Sequence, residues 1–121
     1  MELGLYKDAV QYFSNAVRIR PRNVAGWEAL IRCLYKAGFM DEAIEQVDAA
    51  LQVTNSKPIF LFYKASILLA IGKGKEALLQ LEKAMNQAPK LLKKFIELNP
   101  ASLQNHQVVD VIAKFKRNKA I

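Results

Sequence analysis

One cysteine and one histidine in 121 residues exclude an internal disulfide framework and a His-rich metal site. Five glycines and four prolines are too few for a collagen-like or Pro/Gly-rich low-complexity chain. The longest apolar stretch, Pro58 to Ile71, is interrupted by Lys64 and falls short of the ~18 residues a membrane-spanning helix needs. Charge is modest too: 24% of residues are charged against 52% hydrophobic, the balance of a folded chain rather than a disordered one. A chain of this length buries roughly two thirds of its unfolded surface, enough for one small domain with its own core.

Acidic residues are the scarcer sign, 11 against 18 basic, for a net charge of +7. The excess gathers at the end of the chain, where Lys90, Lys93, Lys94, Lys114, Lys116, Arg117 and Lys119 face only Glu97 and Asp110. Such a segment can attract nucleic acid or an anionic surface by displacing counterions. It is equally the composition of a solvated helix face, and this plainer reading is preferred.

What the sequence does have is a repeat. Gly4, Gly38 and Gly72 recur in one register, as do Ala9, Ala43 and Ala77, and Ala16, Ala50 and Ala84. An acidic residue precedes the first alanine each time (Asp8, Glu42, Glu76). Phe13, Val47 and Leu81 lie between the alanines, and Pro21, Asn55 and Pro89 close each unit. Glycine takes the positive φ where two helices turn back on each other. Alanines seven apart share one helix face and let a neighbour approach closely. Proline stops the helix. Each unit therefore reads as helix, tight turn, helix, stop. Apolar spacings of three and four, as in Trp27, Leu30, Leu34 and Ala37, agree. The predicted helices are 5–19, 24–37, 41–53, 58–71, 75–87, 90–98 and 107–118, with no strands.

In this pattern the chain resembles the tetratricopeptide repeat (TPR) family, whose period and small/large apolar signature it shares. The unit from Val24 to Lys57 carries Trp27, Leu30, Gly38, Ala43, Val47, Ala50 and Asn55. The next, Pro58 to Leu91, carries Leu61, Ala65, Leu68, Gly72, Ala77, Leu81, Ala84 and Pro89. The opening segment matches only the second half of a unit, through Gly4, Tyr6, Ala9, Phe13, Ala16 and Pro21. Ile31 stands where the family has a small residue, and Leu34 and Leu68 where it has tyrosine. The resemblance implies an all-α fold, a right-handed α-solenoid of antiparallel helix pairs. The expected division is a half repeat at 1–23, repeats at 24–57 and 58–91, and C-terminal helices forming a cap at 92–121. In the cap, Asn99-Pro100 is expected to start a new helical segment with Asn99 as its cap. Val108, Ile112 and Phe115 share one face of the last helix, opposite Asp110, Lys114 and Arg117. The ending also resembles those of bacterial TPR proteins. Leu5, Ala9, Phe13 and Ala16 line one stripe of the first helix with no preceding partner helix, so the chain is expected to be the C-terminal part of a longer protein.

The resemblance further implies a groove lined by the first helix of each repeat, which receives a peptide or partner protein. By position it would present Glu28, Arg32, Tyr35 and Lys36 from one repeat and Phe62, Ser66 and Leu69 from the next. The helix bearing Phe62 is apolar nearly all round, the mark of burial on every side. Either an apolar ligand or another part of this protein then fills the groove there. The lysine and asparagine clamp with which some TPR proteins hold terminal carboxylates is missing at Glu28, Ala29, Arg32, Phe62 and Ser66. Cys33 and Trp27 read as core residues, and His106 as an exposed residue opening the last helix. Gly72-Lys73-Gly74-Lys75 lacks the spacing of a phosphate loop. No catalytic, cofactor or metal site is expected. The function expected is a non-catalytic interaction module with a protein or peptide partner. The alternatives are anion binding through the basic end, with nucleic acid disfavoured, and self-association through the first half repeat.

Overall fold

The computed structural model describes residues 3–119. Seven α-helices follow one another: α1 Leu3–Ile19, α2 Val24–Lys36, α3 Met40–Val53, α4 Pro58–Ala70, α5 Gly74–Gln87, α6 Leu92–Leu98 and α7 His106–Lys119. No strand occurs among the described residues. Consecutive helices pack on each other from α1 to α5; α6 then packs on α4, and α7 on α5. This is an all-α helical-repeat solenoid.

Local chemistry sets the turns. Gly38 and Gly72 both sit at φ +85°, and each ends a helix with the same pair of bonds. The Gly38 N–H donates to Tyr35 O at 3.0 Å and that of Phe39 to Leu34 O at 2.9 Å; Gly72 and Lys73 repeat the arrangement on Leu69 O at 3.2 Å and Leu68 O at 2.9 Å. These pairs satisfy carbonyls that the helix end leaves free. Between the repeats the turn is built without glycine: Asn55 and Ser56 adopt φ 56° and 60°, and the Ser56 N–H closes on Leu51 O at 2.7 Å. Asn23 caps α2, its side chain accepting from the Ala25 N–H at 3.1 Å. Pro58 opens α4, where a missing N–H costs nothing.

The small and large columns of the repeat form the core. Ala43, Val47 and Ala50 of α3 and Ala77, Leu81 and Ala84 of α5 are buried. Trp27 is buried as expected, and its indole N–H donates to Pro21 O at 2.6 Å. Two apolar clusters result. One joins Val17, Trp27, Leu30, Ile31 and Leu34 to Ile59, Phe60, Tyr63 and Ile67. The other joins Leu61, Phe62 and Ala65 to Leu81, Met85, Phe95, Val108 and Ile112.

The ending departs from expectation in detail. A 3₁₀ turn at Pro89–Leu91 leads into α6, and a second spans Pro100–Gln104. Asn99 makes no cap bond with its side chain; its amide donates instead to Ser66 O at 3.4 Å. Asn105 supplies the cap, accepting from the N–H groups of Gln107 and Val108 at 2.9 and 3.2 Å. His106 is exposed at the start of α7.

Candidate functional site

The residues expected to line a groove come from α2 and α4. On α2 the spacing Glu28, Arg32, Tyr35 and Lys36 places them on one face; Lys36 is exposed and the other three are half-buried. On α4 the stripe Phe62, Ser66 and Leu69 is divided. Leu69 is half-buried beside a cavity of about 280 Å³ near Asn99 and Ser102.

Phe62 and Ser66 are completely buried, which corrects the expectation that they meet a partner: the chain's own α6 covers them. Phe62 packs in the cluster containing Phe95 and Val108, and Ser66 Oγ donates to Phe95 O at 2.9 Å. The physical reason lies in the composition of α4. Of its 13 residues, those from Ile59 to Tyr63 and from Ala65 to Leu68 are all buried. A helix apolar all round is stable only when enclosed, and α6 supplies Phe95 and Leu98 to complete the enclosure. Of the two fillings the sequence left open at this point, the protein uses its own chain.

Glu28 is likewise engaged internally. Tyr63 OH donates to Glu28 Oε1 at 2.7 Å, and Lys94 Nζ of α6 lies 3.3 Å from the same oxygen. Burial is the main reason why the Tyr63 hydroxyl is pushed well above its usual range, and the bond to Glu28 and its negative charge push it further; Arg32 opposes the shift. Periodicity within one helix could not find this network, because Tyr63 and Lys94 belong to other elements. The apolar circumference of α4 was the one available signal that something lies over it.

Arg32 and Lys36, one helical turn apart, flank Cys33 on α2. Both favour the Cys33 thiolate, yet burial outweighs them and raises the thiol above its ordinary value. Burial raises the Tyr35 hydroxyl as well. A thiol held protonated is a poor nucleophile, so this cluster supplies cationic groups beside a half-buried aromatic ring rather than covalent chemistry. Among the described residues no group of three or more His, Cys, Asp or Glu side chains could hold a metal ion, and no helix is long and apolar enough to cross a membrane.

Comparison with known proteins places this geometry. Two tetratricopeptide repeat family profiles match residues 1–58 and 34–91. A TPR repeat-containing protein of Methanocaldococcus jannaschii is 40% identical over 55 residues, covering 46% of this chain and 10% of that protein. Superkiller protein 3 of Saccharomyces cerevisiae is 30% identical over 81 residues, covering 67% of this chain and 6% of that protein. The chain thus spans a tenth or less of the length of these relatives. With the recurring glycine turns, the buried alanine columns and both profile matches in agreement, the chain belongs to the tetratricopeptide repeat family, whose members are generally non-catalytic protein–protein interaction modules.

Proposed function

We propose that this chain binds an acidic segment of a partner protein along the face of α2 that carries Arg32, Tyr35 and Lys36. The observation that carries the reading is the double engagement of Glu28 with Tyr63 and Lys94. The carboxylate on this face already has a cation in Lys94; exposed Lys36, with Arg32 beside the Tyr63 hydroxyl, is the positive charge offered to a partner. Half-buried Tyr35 adds the aromatic surface that anchors interfaces well, since tyrosine offers large contact area at low entropic cost. Leu69, on the neighbouring repeat, borders a separate cavity near Asn99 and Ser102. Glu28 acts as the internal brace that holds α2, α4 and α6 together, and Phe62 and Ser66 hold α6 in place.

The test is fluorescence anisotropy with a labelled peptide of alternating glutamates and leucines, on the wild type and on the Arg32→Glu, Lys36→Glu double variant. Both altered residues lie outside the buried core, so circular dichroism should show the same helicity. The expected result is a loss of at least about tenfold in affinity, with a smaller loss for Tyr35→Ala. Equal affinity for the wild type and the double variant would overturn the proposal.

A further inference from the structure

Acidic residues are the minority charge of this chain, yet α3 carries Asp41, Glu42, Glu45 and Asp48 and no basic residue. No lysine or arginine occurs between Lys36 and Lys57. The repeat does not ask for most of these carboxylates. Glu42 belongs to the column that also holds Asp8 and Glu76. Asp41, Glu45 and Asp48 occupy columns that carry Lys7, Gln11 and Ser14 in α1 and Lys75, Leu79 and Glu82 in α5, only the last of them acidic. At spacings of four and three these three share one face of the helix. That face borders an open cavity of about 480 Å³, which α4 and the start of α5 complete. Its apolar lining is Ile44, half-buried, Leu68, buried, and Ile71, exposed. Lys64 is engaged within the groove by Asp48 at 2.8 Å. Asp41, Glu45 and Glu76 then face Lys73, so the groove stays acidic in a chain whose net charge is +7.

We infer that this groove is a docking site for a basic segment of a partner protein, in which lysines or arginines flank one or two apolar side chains. Charge complementarity names the occupant: the cations meet Asp41, Glu45 and Glu76, while the apolar side chains meet Ile44, Leu68 and Ile71. The carboxylates are strung along the groove, Asp41 and Asp48 being about 10 Å apart along the helix axis. Among the described residues no three acidic side chains gather closely enough to hold a metal ion. Charges so spread match a row of cations rather than a single one. The net positive charge of the chain does not oppose this, because exposed charges more than about 8 Å away are largely screened at physiological ionic strength. In the groove itself α4 is already packed on α3 and on α5, so none of the repeat's own helix pairings remains to be made there. The site differs from the α2 face proposed above and takes the opposite charge, and neither reading depends on the other.

The probe is a capped, labelled peptide of alternating lysines and leucines, titrated into the full chain by fluorescence anisotropy and located by NMR on the isotope-labelled chain. Amide shifts are expected from Asp41 to Asp48 and from Ile71 to Glu76. The Asp41→Asn, Glu45→Gln double variant changes two exposed side chains and should weaken binding by at least about tenfold at low salt. Glu97→Gln with Asp110→Asn makes the same change of net charge at exposed positions away from the groove, and should leave the affinity nearly unchanged. A peptide with serines in place of the leucines should bind more weakly, having nothing to offer the apolar lining. The glutamate–leucine peptide should bind the Asp41→Asn, Glu45→Gln variant as it binds the wild type, which separates this result from the test of the α2 face. Equal losses in the two double variants, no shifts on α3, or undiminished binding of the lysine–serine peptide would overturn the inference. So would sedimentation showing that the free chain self-associates and that Asp41→Asn, Glu45→Gln returns it to a monomer. The occupant would then be the basic α7 of a second copy, with its exposed Lys114, Lys116 and Arg117.

Discussion

A hydroxyl and a carboxylate 35 residues apart in sequence join two repeats, and the bond between them is lost at high pH. Tyr63 donates its proton to Glu28, so ionising the phenol removes the donor and brings two negative charges together in a partly desolvated place. The folded-state value is therefore raised above the unfolded value of 10.0. The stability this supplies is fully present below the unfolded value, and it is lost as pH rises through that value towards the raised folded one. Tyr63→Phe keeps the ring in its packing site and removes only the titrating group. The variant should lose about 1–2 kcal/mol near neutral pH, and its urea midpoint should fall less than the wild type's between about pH 8 and pH 11. Parallel declines in the two proteins would show that Tyr63 is not responsible. Lys94 remains beside Glu28 in the variant, so the carboxylate is not stranded, which keeps the neutral-pH loss moderate.

Two glycines that border one turn should respond to alanine with opposite signs. Gly72 sits at φ +85°, and a Cβ there would meet nothing within 4 Å; the whole cost of Gly72→Ala is backbone strain, about 1–2 kcal/mol. Gly74 opens α5 with a φ that other residues also adopt, again with open space around its Cβ. Gly74→Ala should stabilise by about 0.4–1 kcal/mol by restricting the unfolded chain. Thermal melts of both variants would test the pair, and a destabilised Gly74→Ala would contradict the account of this helix start. Elements of this kind were legible in the sequence: Gly38 and Gly72 mark the turns, Pro58 marks a helix start, and the alanine columns mark the buried faces. The role of Asn99 was not legible, because its bond goes to Ser66 of α4 rather than to its own segment. For the same reason Phe62 and Ser66 read as groove residues. Their stripe is correctly placed on α4, but the helix that covers it comes from beyond the repeat, where no periodic column fixes its position.

Across the whole molecule α4 is the shared wall of both apolar clusters, giving Phe60, Tyr63 and Ile67 to one and Leu61, Phe62 and Ala65 to the other. A solenoid's stability is a sum of unit and nearest-neighbour terms, so damage at one end should stay local while damage to the shared wall should spread. Ile67 is fully buried in the first cluster and Ile112 nearly so in the second. Truncating a buried isoleucine to alanine costs about 2–5 kcal/mol in either place. The two variants should still differ in hydrogen exchange. Ile112→Ala should release amides of α6 and α7 while those of α2 and α3 keep their protection. Ile67→Ala loosens the helix on which α3, α5 and α6 all pack, and should lower protection on both sides of it. Equal loss of protection in α2 from the two variants would mean that the chain opens as one cooperative unit. In that case neighbour coupling through α4 would be strong enough to carry a disturbance from the last helix to the face of α2 that bears Arg32 and Lys36.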